Sequence, residues 1–160
     1  MATSNITTIQ SVQERCEMLS STQWVSDMSW PEMQTLAAYL KAIKTPKGQV
    51  ICHEGDYEPF LCIMVDGKVN VVKENNKKRQ TVIAILNKGK TFGEMSIFDG
   101  EPRSASVVAA ENSTLLVLNR EGFDRLIHEK PGLAAKLLLK LGRMISQRLR
   151  VVSGKLVDYM

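Results

Sequence analysis

The chain is short of the residue types that most enzyme classes need. It has two histidines, His53 and His128, far apart and in neither an HxH nor an HxxxH pattern. No Ser/His/Asp or Cys/His constellation can be assembled from them, so no catalytic residue, metal ligand or cofactor is expected. Its three cysteines, Cys16, Cys52 and Cys62, are odd in number and widely spaced, with no CxxC pair. That argues against a zinc site and a disulfide framework, and fits reduced thiols in the cytosol. No apolar run approaches the ~20 residues that span a bilayer. The N-terminus, MATSNITTIQSVQERC, lacks the basic and apolar regions of a secretory signal. The expectation is a cytoplasmic protein with no membrane association. Aromatic residues make up only 6%, so aliphatic side chains must fill the core.

What is present describes a globular domain. Hydrophobic residues are 44% and charged residues 24%, and the 160 residues suffice to bury a core. The net charge of +4 suits either a nucleic-acid surface or a protein holding one small anion. Ser29, Pro31 and Glu32 form a capping box with proline in the first turn. Met33, Leu36, Ala37, Leu40 and Ile43 follow at helical spacing, predicting a helix that ends at Thr45-Pro46-Lys47-Gly48. A weaker helix is predicted around Ile9 to Leu19. From Gln49 to Asn119 short aliphatic runs alternate with turn residues: 49–52, 60–65, 68–73, 81–86, 104–109 and 114–118. Asp66-Gly67 is a hairpin signal, and 74–79 a polar hairpin tip. A short helix over Glu121–His128 and a long one from Leu133 to about Asp158 complete the chain. Leu138, Gly142, Ile145, Leu149, Val152, Leu156 and Tyr159 recur by four and three along the long helix, as in a coiled-coil seam. The predicted fold class is therefore mainly β with flanking helices: a jelly-roll-like β-roll with an N-terminal helix and two C-terminal helices.

The segment 92–107, FGEMSIFDGEPRSASV, carries the chemistry. A glycine precedes an acid, small and polar residues follow, Asp99-Gly100 turns the chain, and Pro-Arg-Ser-Ala leads into a strand. Such a segment can point main-chain N–H groups inward as an anion nest. The planar fork of Arg103 would complete a phosphate site. A carboxylate cannot serve the phosphate, but Glu94 can accept a hydrogen bond from a sugar hydroxyl. The same two residues could instead form a plain salt bridge.

This segment resembles the phosphate-binding cassette of cyclic-nucleotide-binding domains, found in bacterial catabolite activators, regulatory subunits of cyclic-AMP-dependent kinase and cyclic-nucleotide-gated channels. The resemblance extends over roughly residues 30 to 155. It implies that Arg103 pairs with the cyclic phosphate, that Ser104 donates its hydroxyl or N–H to it, and that Glu94 holds the ribose 2′-hydroxyl. Main-chain groups at Gly93, Met95, Ser96 and Ala105 line the site. In catabolite activators two adjacent hydroxyl residues of the long helix approach the adenine; here Val152 and Ser153 stand there, and only Ser153 keeps the hydroxyl. Val152 also fits the apolar seam, and Ser153 also fits an ordinary surface serine. Ser104, where cyclic-GMP sites commonly carry threonine, leans toward cyclic AMP, with cyclic GMP the less favoured ligand.

The organisation implied is a polar extension (1–28), a cyclic-nucleotide-binding β-roll with flanking helices (29–130) and a long helix (131–160) that can dimerise. The chain stops before a helix-turn-helix could fit, so no direct DNA binding is expected, and the signal would pass to a protein partner or through a homodimer. Two other classes fit the sequence less well. A cupin-like metalloenzyme needs more histidine than the chain has. A nucleotide-independent scaffold with a degenerate pocket would not require Arg103 and Glu94 together.

Overall fold

The computed structural model describes residues 7–9 and 11–159; the remainder of the polar N-terminal extension lies outside the described residues. The fold divides into two compact units, Met1–Phe123 and Asp124–Met160. In chain order the elements are β1 (Thr7–Ile9), α1 (Val12–Ser20), a 3-10 turn (Gln23–Val25), α2 (Trp30–Tyr39), β2 (Lys41–Thr45), β3 (Val50–Cys52), β4 (Phe60–Asp66), β5 (Val69–Glu74), β6 (Gln80–Leu86), β7 (Thr91–Phe92), α3 (Glu94–Asp99), β8 (Ser106–Ala109), β9 (Ser113–Asn119), α4 (Arg120–Glu129) and α5 (Pro131–Asp158). No helix among the described residues is long and apolar enough to cross a membrane.

The capping box forms as the sequence implies. Ser29 Oγ accepts from the Glu32 N–H at 3.3 Å, and Glu32 Oε1 accepts from the Ser29 N–H at 3.0 Å. The helix it starts is shorter than its periodicity suggests. It ends at Tyr39, Leu40 is extended (ψ 155°), and Lys41–Thr45 is strand, not helix. Leu36, Leu40 and Ile43 mimic helical spacing, but β-branched Ile43 and Thr45 can join a sheet. Five register pairs with β9, from Lys41↔Val117 to Thr45↔Ser113, decide the outcome.

The strands form two antiparallel sheets, one ordered β1-β2-β9-β4-β7 and the other β3-β8-β5-β6. They face each other without closing into a barrel. The core lies between them. Ile43, Phe60, Cys62, Met64, Phe92, Leu115 and Val117 come from the first sheet, and Ile51, Cys52, Val69 and Val107 from the second. Aliphatic residues dominate it, as the low aromatic content requires. β4 sits between β9 and β7 and buries every side chain from Phe60 to Val65. Edge strand β6 leaves Val82, Ile83 and Ile85 exposed. The β5–β6 tip is held by Asn75, whose Oδ1 accepts from the N–H groups of Lys77 (2.9 Å) and Arg79 (3.0 Å).

In the second unit α5 runs 28 residues. Ala134, Leu137 and Leu141 are buried, whereas Leu149, Val152, Leu156 and Tyr159 of the predicted seam are exposed.

Candidate functional site

The cassette is one tight excursion between β7 and β8. Gly93 caps the start of α3 with φ 85°, and Gly100 caps its end with φ 68°. Asp99 Oδ1 then accepts from the Glu101 N–H at 2.9 Å, turning the chain back toward Pro102 and Arg103. Gly93 is required by space as well as by φ. A Cβ there would run into both Arg103 Nη1 and the Phe60 carbonyl oxygen, far inside van der Waals contact with each.

Arg103 points inward and is 6% exposed. Nη1 donates to the Gly93 carbonyl at 3.0 Å and Nη2 to the Phe60 carbonyl at 2.8 Å. The guanidinium carbon lies 3.8 Å from the centroid of the Phe60 ring, a cation–π stack. Its hydrogen bonds thus run to main-chain carbonyls rather than to a carboxylate. Nε is buried and has no hydrogen-bond partner among the described residues. Burial pulls the guanidinium pKa below its ordinary value, although so strong a base stays charged.

Glu94, the first residue of α3, is 4% exposed, and its Oε2 is sealed from solvent. Ser96 is buried and its hydroxyl donates to the Gly93 carbonyl at 3.0 Å, so that side chain serves the local turn. Met95 is exposed, Ser104 is exposed, and Ala105 is buried. Gly93, Glu94, Met95, Ser96, Arg103, Ser104 and Ala105 therefore belong to one cassette. Ser153 lies on α5, in the second unit, and is exposed there.

Cys52 of β3 and Cys62 of β4 are both buried, and both feel the charge of the guanidinium. Burial raises both thiols, Cys62 strongly, while the positive charge of Arg103 draws each partly back. Among the described residues no group of His, Cys, Asp and Glu is arranged to hold a metal ion.

Four contributors are absent from a reading of the motif alone. Phe60 supplies the stacking ring and a carbonyl. The turn before β4 clasps the cassette tail: the Gly55 N–H donates to the Arg103 carbonyl, and the Arg103 N–H to the Asp56 carbonyl, both at 2.8 Å. Lys73 Nζ donates to the Ser104 carbonyl at 2.8 Å. Arg120, opening α4, donates through Nη1 to the Ile97 carbonyl of α3 at 2.8 Å. Nothing in the sequence of Glu54-Gly55-Asp56 itself says what that turn touches.

Comparison with known proteins adds to this geometry. A family model described as cyclic nucleotide-binding domain matches residues 42–130. The chain is 36% identical over 118 residues to the cyclic AMP receptor protein of Thermus thermophilus, covering 73% of this chain and 55% of that protein. Among solved structures, a cyclic nucleotide-binding domain from Methylobacillus flagellatus superposes with a TM-score of 0.87 at 27% identity, covering 98% of this chain and 90% of the other. The Thermus thermophilus catabolite activator protein superposes with a TM-score of 0.73 at 32% identity, covering 83% and 61%. The chain spans about half the length of the curated relatives it matches.

Proposed function

Because this chain belongs to the cyclic nucleotide-binding domain family, we propose that it is a regulatory sensor that binds a cyclic nucleotide monophosphate, cyclic AMP in preference to cyclic GMP, in the cassette of residues 93–105. The observation that carries this reading is the buried Arg103 guanidinium with an unpartnered Nε–H. A buried donor left unsatisfied costs about 1–3 kcal/mol, more when charged. A phosphate oxygen is the partner it lacks, and a charge-assisted bond is roughly twice as strong as a neutral one. Nη1 and Nη2 each carry a second proton beyond the bond to a carbonyl, so the guanidinium has donors to offer while its anchor holds.

Ser104 and Ala105 add donors to the phosphate, with main-chain groups of Gly93, Met95 and Ser96 lining the pocket. Glu94, which would repel the phosphate, accepts from the ribose 2′-hydroxyl. Ser153 is the residue of α5 assigned to the base. Binding shifts a population and performs no chemistry. The Arg120–Ile97 bond is a direct tie between the cassette helix and the start of α4, so motion of α3 is felt there. We take residues 29–130 as the sensing domain and 131–160 as the output helix, passing the signal to a protein partner.

The output helix is suited to pair with a second copy. With Ile145, Val152 and Tyr159 at d and Leu149 and Leu156 at a, the g positions are Arg148 and Lys155 and the e positions Ser146 and Ser153. A parallel pair sets Arg148 against Ser153, whereas an antiparallel pair sets Arg148 against Lys155. Charge repulsion favours the parallel arrangement.

Calorimetry on Arg103→Leu tests the assignment. The wild type binds cyclic AMP, and the variant loses about a hundredfold or more in affinity, the worth of two charged hydrogen bonds. Equal affinities would overturn the site. A second reading, a nucleotide-independent scaffold, draws on the two carbonyl bonds that hold Arg103 without a ligand. Thermal unfolding separates the two: cyclic AMP at 100 times its Kd adds about 2.7 kcal/mol to a sensor and nothing to a scaffold.

A further inference from the structure

Lys73, on β5, is about half exposed and has the look of a surface lysine paired with Glu54. The distances rank its partners otherwise. Nζ is 2.8 Å from the Ser104 carbonyl oxygen and 3.8 Å from Glu54 Oε1. Exposed ion pairs of that length contribute little. Glu54 is itself fixed: its Oε2 accepts from the Glu74 N–H at 3.2 Å, and its N–H donates to Ser106 Oγ at 2.8 Å. It holds the ammonium over the carbonyl instead of drawing it away.

The consequence lies in the peptide unit. The Ser104 carbonyl and the Ala105 N–H belong to one planar trans peptide, in which the two groups point in opposite directions. Anchoring the carbonyl on Lys73 aims the Ala105 N–H to the opposite side. The ammonium also withdraws electron density through the amide, and hydrogen bonds in a chain strengthen one another. The preceding carbonyl, that of Arg103, is held by the Gly55 N–H, so both peptides flanking Ser104 are set from behind.

Building on the reading of this cassette as a phosphate site, we propose that Lys73 is a positioning residue for the ligand's phosphate: acting through the Ser104 carbonyl, it orients and polarises the Ser104–Ala105 peptide so that the Ala105 N–H meets one exocyclic phosphate oxygen. Lys73 touches no ligand atom in this account. Its influence is confined to one of the two exocyclic oxygens, and that confinement makes it testable.

The experiment measures affinities of the wild type, Lys73→Met and Lys73→Arg for cyclic AMP and for its two phosphorothioate diastereomers, each carrying sulfur in place of one exocyclic oxygen. Sulfur accepts a hydrogen bond poorly, so the wild type discriminates between the diastereomers. Lys73→Met weakens cyclic AMP binding by about tenfold, the scale of one hydrogen bond, and narrows the ratio between the diastereomers. Lys73→Arg restores both, and urea midpoints of the ligand-free proteins match. Lys73→Met with wild-type affinity and ratio overturns the proposal, as does an equal loss for all three ligands, which would mark a general charge or stability effect. A wild type that binds none of the three overturns the phosphate reading itself and this proposal with it.

Discussion

Replacing Gly93 by alanine tests the geometry on which the site rests, and the fold supplies its own control. Gly89 has the same φ, 85°, as Gly93, but a Cβ at Gly89 would meet nothing within 4 Å. Gly89→Ala therefore isolates the conformational effect. A left-handed backbone costs an L-residue about 1–2 kcal/mol, and the stiffer unfolded chain returns about 0.4–1 kcal/mol. The net loss is on the order of 1 kcal/mol. Gly93→Ala carries that loss and a collision besides. The Phe60 carbonyl cannot withdraw, since Phe60 is in register with Asn119 of β9. Arg103 can withdraw only by releasing its bonds to the Gly93 and Phe60 carbonyls. Overpacking of this kind costs about 1–3 kcal/mol, so Gly93→Ala should lose about 2–4 kcal/mol in all. Equilibrium urea unfolding followed by tryptophan fluorescence reads both variants, with Trp24 buried as reporter. In an Arg103→Leu background the extra cost of Gly93→Ala should shrink, because one of the two colliding groups has gone. If Gly93→Ala and Gly89→Ala agree within about 0.5 kcal/mol, the error expected of additivity, the close packing of guanidinium on glycine is wrong.

Three further outcomes are expected. Leu149→Asp places a charge on the exposed seam of α5 and should convert a two-chain species to a single chain in light scattering; a wild type that is already a single chain would refute the seam. Burial raises the Cys52 and Cys62 thiols, so both should resist alkylation at pH 8 in the native protein and react freely in urea. Because folding holds these protons more tightly, stability should be full below about pH 8.5, the ordinary thiol value, and fall as pH rises beyond it. Native alkylation at the rate of a free thiol would contradict that.

The extent to which the sequence disclosed the fold follows the range of the interactions concerned. The capping box at Ser29 and Glu32 and the hairpin tip at Asn75 are closed by partners three or four residues apart, and both form as expected. The end of α2 depended on a remote strand. Leu36, Leu40 and Ile43 satisfy a helical period, and only pairing of 41–45 with 113–117 shows that Ile43 belongs to a sheet. The two-residue strand β7 was invisible for the same reason: Thr91 and Phe92 become strand by pairing with Ile63 and Cys62.

The same distinction divides the site. Glu94 and Arg103 are nine residues apart, joined by a single short helix and an Asx turn, so the return of the chain is encoded between them. Their spacing could be read directly, and so could the two glycines, Gly93 and Gly100, that turn out to stand at the ends of α3. The groups that aim those side chains come from elsewhere. Phe60 lies 43 residues from Arg103, and Lys73 lies 31 from Ser104. Sheet registry delivers both: Cys62 of β4 stands opposite Phe92, just before the cassette, and Val72 of β5 stands opposite Ser106, just beyond its tail. That registry brings Lys73 to the Ser104 carbonyl whatever the cassette's own sequence is. If the cassette is the phosphate site proposed above, two chains with identical cassettes would differ in how firmly they hold a phosphate when one has a cation at the end of β5 and the other an aliphatic residue. The cassette would then set which atoms meet the ligand, and the strand behind it how steadily those atoms are held.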